Sequence, residues 1–526
     1  MKPRLPLLLL LSAALLSAGT QLRNRVNGQP LRWPSTMIAL KMSRTVHLPS
    51  GDTGVDRADT AGSVHSAVAA AVRAWADAGK INISISLVDQ QQIQPGDNLI
   101  TFTDPSLFDQ GVCSKEAYVG CAVHWYFPDG TLAGISIAFN PYKKHSSIGL
   151  RGTFDIGLTA LHEIGHGLGL DHSPVLDAIM SPAIEVDVGD SGAPTFPARL
   201  LSRDDIYTLA SAYPELPLDA GRLSGVVRRN GGPEARAQVV AIDPVGRVVQ
   251  SAIPGPDGSF SMSAPPGDLT LVAVGGFAPW FWTSGGGSGT DREVVSLQAG
   301  ASRGGVDFSI GPGEALGIRT IGYFDADTYF GFGSITLGRG RDYTIAVSRT
   351  SPDGTPSFEI PAAIGEFTGP GASLFPNSPG IFFQPFRVSA SAEPGAYAVL
   401  IKTESASTLL PGGIRIVANP NVEAVRDQAT GESGGAYRAG QRISIVGSEL
   451  SAVEVISASF IEGAPPPTQV AGVSVRVGDR FAPVVSVSPG EIIAFMPTGL
   501  SGDKAEVVVQ CGPAVGSKPV VVDLAQ

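Results

Sequence analysis

The sequence predicts a multidomain chain: an α+β domain at the N-terminal end, followed by all-β sandwich modules. Three observations predict this. Convincing helical periodicity is confined to the part before Pro217, all seven histidines fall at or before His172, and beyond Pro217 the chain becomes short alternating strands between turns. At 526 residues it also exceeds a single ordinary core.

The N-terminal elements follow from local pattern. Met37–Met42 reads as an opening strand. Ala58 to Ala78, with Val64, Val68, Val72 and Trp75 at helical spacing, reads as an amphipathic helix. Strands are expected at Ile81–Val88, Asn98–Thr103 and Gly134–Phe139. Thr153 to Leu170 is the second long helix, capped by Thr153 or Asp155. Ser202-Arg203-Asp204-Asp205 is a capping box that opens a third helix ending near Tyr213-Pro214. Beyond Pro217, strands at Leu223–Val227, Gln238–Ile242, Ser259–Ser263 and Leu269–Val274 suggest a first sandwich. The Gly/Ser stretch Ser284–Gly289 reads as a long loop inside it. Strands near Tyr343–Val347, Ile381–Ser389 and Tyr397–Thr403 suggest a second module. Others at Val473–Val477, Ile492–Met496 and Ala505–Val509 suggest a third. The expected division is 1–19, 20–218, 219–312, 313–418 and 419–526.

Composition narrows the function. Hydrophobic residues at 43% and charged residues at 16% indicate a folded chain, and the net charge of −11 argues against a nucleic-acid partner. Lys2 and Arg4 precede the apolar run Leu5 to Gly19, which ends in Ser17-Ala18-Gly19. This is the pattern of a secretory signal peptide, and it is short for a bilayer core of ~30 Å. The mature chain is therefore expected to be secreted, extracellular or cell-surface associated, with no membrane span. In an exported chain, Cys113 and Cys121 form a plausible short disulfide loop, and Cys511 reads as a small buried hydrophobe.

The chemistry lies in His162-Glu163-Ile164-Gly165-His166-Gly167-Leu168-Gly169-Leu170-Asp171-His172-Ser173. On a helix, His162 and His166 share one face a turn apart and converge on one ion. Gly169 can adopt the left-handed conformation that ends the helix, which lets His172 reach the same ion. Three imidazoles plus an open position suit a catalytic Zn2+, with Glu163 as general base toward a zinc-activated water.

The extension to Gly169 and His172, with Met180 in Ala178-Ile179-Met180-Ser181-Pro182, resembles the metzincin signature and its methionine-containing turn. Ser173 after the third histidine is similar to the matrixins, and the resemblance spans about residues 31 to 217. It implies a twisted mixed sheet with three helices. It also implies one catalytic zinc on His162, His166 and His172, and Met180 beneath it. Gly130–Ala133 followed by Ala138–Pro141 looks like the edge strand lining the matrixin cleft. Leu201–Ile206 with Tyr213 looks like the C-terminal helix, and Trp33 and Trp75 sit where such domains begin and where their first helix ends.

There are departures from the family pattern. Animal matrixins hold a second, structural zinc through an edge-strand histidine, where Gly134 or Ile137 stands here. His124 and His145 lack acidic companions, so a second zinc is not expected. Ile184 replaces the tyrosine of Met-x-Pro-x-Tyr, which leaves pocket preference open. The stretch between the apolar run and the first strand is short, so no pro-domain or cysteine-switch motif is expected. Calcium at Asp155 or Asp171 lacks support, because these read as a helix cap and a turn residue.

Residues 222 to 312 resemble carboxypeptidase-regulatory-like or Cna-B-like sandwiches. The last block resembles a C-terminal β module of secreted acidobacterial proteins, hinting at a bacterial source. These modules could serve as spacers or could dock to a surface, matrix or substrate. The expected activity is that of a secreted zinc endopeptidase acting on extracellular proteins or peptides. The alternative is a surface adhesion protein with a vestigial peptidase domain.

Overall fold

The computed structural model describes residues 21–24, 26–47, 53–56, 59–150, 152–182, 199–275, 290–311, 314–315, 318–325, 328–349, 356–373, 380–403, 406–452, 455–458, 467–512 and 515–525. The apolar N-terminal run, Ile184 and the stretch 284–289 lie outside the described residues.

The N-terminal domain runs β1 (Met37–Ser43), β2 (Gly54–Val55), α1 (Ala61–Gly79), β3 (Asn82–Val88), β4 (Leu99–Thr101), α2 (Ser106–Asp109), β5 (Gly120–Tyr126), β6 (Leu132–Phe139), β7 (Lys144–Ser146), β8 (Phe154–Asp155), α3 (Ile156–Gly167) and α4 (Arg203–Ala212). The main sheet has the order β3-β1-β4-β6-β5, and only β5 is antiparallel to its neighbour. Helix α1 buries Val64, Val68, Val72 and Trp75. It begins at Ala61 rather than Ala58 because Thr60 and Ser63 form a capping box. The core joins these α1 residues to Leu40, Ile100 and Ile137 of the sheet and to Ile156, Leu161 and Ile164 of α3. On the other face, Leu107 and Phe108 of the short helix α2 pack with Cys121, Val123 and Trp125 of β5. That fourth helix was not expected.

The sheet order overturns the edge-strand expectation. The edge strand is β5, not the segment around β6. β6 lies inside the sheet, between β4 and β5, so Gly134 and Ile137 are interior positions and the histidine on the edge strand is His124.

The rest of the described chain forms paired sheets, each pair enclosing a core. Between 221 and 310, a sheet around Gly221–Arg229 faces one ordered Val248–Ala252, Gln238–Ile242, Gly267–Val274, Thr290–Leu297. The next pair is built around Asp342–Arg349 with Ile381–Val388, and Gly395–Lys402 with Ala406–Val417. The last is built around Arg442–Ser448 with Glu491–Phe495, and Val473–Val477 with Lys504–Cys511. These modules pack directly on the N-terminal domain. Ile148, from the β7–β8 connection, lies in the core of the last module, where its carbonyl accepts from Ala471 N at 2.8 Å.

Candidate metal centre

Helix α3 is fixed at its start by Asp155, whose carboxylate accepts from Leu158 N at 2.8 Å and pairs with Arg199. This places Asp155 as a helix cap. Four side chains from elsewhere hold carbonyls along its length and at its end. Trp75 Nε1 donates to Leu161 O (2.8 Å), Trp33 Nε1 to Gly167 O (2.8 Å), Tyr213 Oη to Leu168 O (2.8 Å) and His124 Nε2 to His166 O (2.7 Å). The end of a helix leaves carbonyls without intrahelical partners, a need that Trp33 and Tyr213 meet at Gly167 and Leu168, and together the four donors fix the helix in the domain. Gly169 follows at φ +86°, a left-handed turn, and a Cβ there would lie 2.2 Å from Leu31 O. The chain then reverses and carries His172 back.

The three imidazoles converge. One ring nitrogen from each of His162, His166 and His172 lies within 4.8 Å of the others, and ring centroids are 4.7 to 5.2 Å apart. His162 Nδ1 contacts Ile179 O and His166 Nδ1 contacts Leu170 O, both at 2.8 Å. A carbonyl can only accept, so each Nδ1 carries the proton and, in the neutral ring, each Nε2 is bare. Burial, reinforced by the neighbouring rings, pushes His162 and His172 down to about 3 and His166 well below the usual range. Two bare Nε2 atoms therefore face each other at 3.1 Å with no proton between them. That arrangement repels unless a cation sits between the lone pairs, and neutral imidazole is a preferred zinc donor. The donor set fits zinc.

Glu163 is buried beside the first histidine, and burial lifts its carboxyl to about 8. Its carboxylate rests on Gly120, where a Cβ would come within 2.6 Å of Oε1. Gly120 precedes Cys121, which is bonded to Cys113. In the same loop, burial and the Glu163 charge raise the Tyr118 phenol. Asn140 Nδ2 donates to the carbonyls of Lys115 and Tyr118 and so holds this loop in place.

Met180 is buried below α3, its Sδ against Gly165. Asp205 fixes this turn. Its Oδ1 accepts from Met180 N (3.0 Å), and its Oδ2 accepts from Ile179 N (2.9 Å), Ser202 N (2.7 Å) and Ser202 Oγ (2.8 Å). Asp204 accepts from Ser173 Oγ at 2.6 Å. Sequence reasoning read these acids only as a helix cap, and it missed His124, Gly120 and Asn140. His145 lies away from the three imidazoles, between Phe139 and Phe154, with Nε2 at 2.8 Å from Asn140 O. Among the described residues, His162, His166 and His172 form the one cluster with metal-ligand geometry.

A mixed sheet with one antiparallel edge strand, above a helix bearing two histidines and a returning third, defines a metzincin-type domain. The family model described as Matrixin matches residues 55–214, so this region is a matrixin-like domain of a zinc metallopeptidase family. No curated protein matches the chain.

Similar solved structures are β-rich multidomain proteins. The Bacteroides ovatus mixed-linkage glucan utilization locus protein SGBP-B, solved with a mixed-linkage heptasaccharide, is 10% identical with a TM-score of 0.16; 55% of this chain and 60% of that one are covered. Surface layer protein SbsC, domains 4–9, is 12% identical with a TM-score of 0.14, covering 56% and 40%. A DUF3823 family protein from Bacteroides ovatus is 14% identical with a TM-score of 0.13, covering 38% and 98%. The chain thus spans less than two thirds of the first two, and likenesses this weak carry no functional argument.

Proposed function

We propose that the protein is an exported zinc endopeptidase that cleaves extracellular proteins or peptides, with Glu163 as its general base. The observation that carries this reading is the pair of bare Nε2 atoms facing each other beside a buried carboxylate. Among the described residues no helix is long and apolar enough to cross a membrane, and the basic, then apolar N-terminus supports export.

His162, His166 and His172 would hold the ion. A zinc ion held there would supply Lewis acidity toward water and the scissile carbonyl. The remaining steps use the chain's own groups. Strand β5 is the edge strand of the main sheet and carries Gly120 against Glu163, so a peptide substrate would lie alongside it. Glu163 takes the proton released by the attacking water and passes it to the departing amine. Its burial against Gly120 keeps that carboxylate out of bulk water.

The test is hydrolysis of unfolded casein with and without a chelator. Cleavage should stop on chelation and return with Zn2+. Glu163→Ala should keep stoichiometric zinc while losing at least about a thousandfold in kcat, within the range general-base removal produces. A zinc-loaded wild-type protein that leaves casein intact would overturn the peptidase reading.

A further inference from the structure

The segment between His172 and Met180 has two kinds of support. Its base is held within the N-terminal domain: Ser173 N donates to Met180 O at 2.8 Å, and Asp205 holds Ile179 and Met180. Its tip, Val175 to Ala178, is held by the β modules. Val175 and Ala178 are buried in a cluster with Val240, Val248, Val272 and Val274 of the first module and Ala398, Leu400 and Leu409 of the second. In the strand Ala406–Val417 the pairing shifts between Tyr397↔Ile414 and Val399↔Leu410, so Pro411, Gly412 and Gly413 bulge out of the ladder. That bulge meets the tip: Leu176 N donates to Pro411 O at 2.8 Å. Gly412, at φ +68°, lies so close that a Cβ would come within 2.9 Å of Val175 and 3.0 Å of Asp177. On the same strand, Arg415 Nε donates to Asp177 Oδ1, and both side chains are nearly excluded from solvent.

We propose that the β modules are part of the metal site's scaffold, with Arg415 and the Pro411–Gly413 bulge as positioning elements for the loop that presents His172 and Met180. The physical argument concerns Asp177. Removing Arg415 leaves a buried carboxylate without its cation, a strongly unfavourable state. The nearest relief is for the loop tip to swing toward water. Asp177 is five positions from His172, and Ser173 N is hydrogen-bonded to Met180 O, so the swing is transmitted to the third ligand and the methionine turn. The module strand therefore sets how well the three imidazoles converge before an ion arrives. This inference rests on the zinc-site reading above.

The test measures Zn2+ affinity of the full-length chain by competition with a chromophoric chelator, without substrate. Arg415→Ala should retain the wild-type circular dichroism spectrum and bind Zn2+ about tenfold more weakly, the low end of the loss seen when groups orienting a ligand are removed. Arg415→Lys should recover part of that affinity by restoring a cation. Gly412→Ala, which drives a methyl into Val175 and Asp177, should weaken Zn2+ binding in the same direction. Wild-type affinity in both Arg415→Ala and Gly412→Ala overturns the proposal. If Arg415→Ala does not fold, Gly412→Ala decides alone, and wild-type affinity there is equally fatal. Affinity is read without peptide, so a failed casein assay removes the peptidase reading while leaving this result standing.

Discussion

Replacing Asp205 with asparagine tests whether a helix-capping acid also holds the floor of the metal site. The side chain keeps its shape, but one oxygen becomes an NH2 that cannot accept. With the amide nitrogen at Oδ2, the N–H groups of Ile179 and Ser202 lose their acceptor; at Oδ1, only Met180 N does. The second orientation costs less, and it leaves one buried N–H unsatisfied, about 1–3 kcal/mol. The two backbone bonds that survive go from a charged to a neutral acceptor, about 1 kcal/mol each. The expected destabilisation is about 3–5 kcal/mol, with a weaker grip on Zn2+ because Met180 and Ile179 O, the partner of His162 Nδ1, move together. Burial pushes the Asp205 carboxyl up while its four donors pull it down. All four contacts need an acceptor oxygen, so the ionised form satisfies them best. Urea unfolding of the chelated wild-type and Asp205→Asn chains, followed by tryptophan fluorescence, gives the difference directly. Agreement within about 0.5 kcal/mol, the size of an ordinary neutral surface change, would mean that Asp205 is protonated and that the amide replaces it group for group.

Other consequences follow from neighbouring groups. Burial, then the charge of Asp205, raises the Asp204 carboxyl to about 7, and its contacts with the hydroxyls of Ser173 and Ser251 allow it to hold a proton. Its folded pKa lies above the unfolded value, so its contribution is fully present below about pH 4 and is lost as pH rises toward about 7. Unfolding midpoints of the wild type and Asp204→Asn between pH 4.5 and 8 should converge at the acid end and part with rising pH, the wild type losing stability relative to the variant. Gly120→Ala places a methyl 2.6 Å from Glu163 Oε1. It should cut kcat by about tenfold or more while Zn2+ affinity stays near wild type, a split that chelator competition and peptide kinetics resolve. Trp75→Ala removes a fully buried ring and the donor to Leu161 O, and should cost about 3–5 kcal/mol in the same urea assay.

The parts of this architecture that were legible in the sequence are those with local signatures. His162 and His166 are spaced by one helical turn, Gly169 is followed closely by a third histidine, and α1 repeats apolar residues at its period. Strand β5 was invisible for a physical reason. Gly120-Cys121-Ala122-Val123-His124-Trp125 is buried throughout, so it shows neither alternation nor a polar face, and the edge-strand reading slid to the next segment. Asp204 and Asp205 were hidden by agreement: acids in the first turn of a helix are what capping and the helix dipole favour, so nothing in the pattern marked them as buried. Asp177 and Arg415 carry no local mark at all. They are 238 positions apart, and only the fold brings them together.

The groups whose roles only the fold reveals share one task. The bare Nε2 atoms of His162 and His166 repel each other, so the unliganded cluster is disfavoured and must be imposed from outside. His124, Trp33, Trp75 and Tyr213 impose it on the helix through its carbonyls, Asp205 on the base of the returning loop, and the module strand on its tip. Each anchor therefore works against lone-pair repulsion in the empty site and with the ion once it binds. Loosening one should lower Zn2+ affinity and, by relieving repulsion, should harm the apo fold less than the zinc-bound fold. An orienting anchor is thereby separated from a merely structural contact, which would destabilise both forms equally.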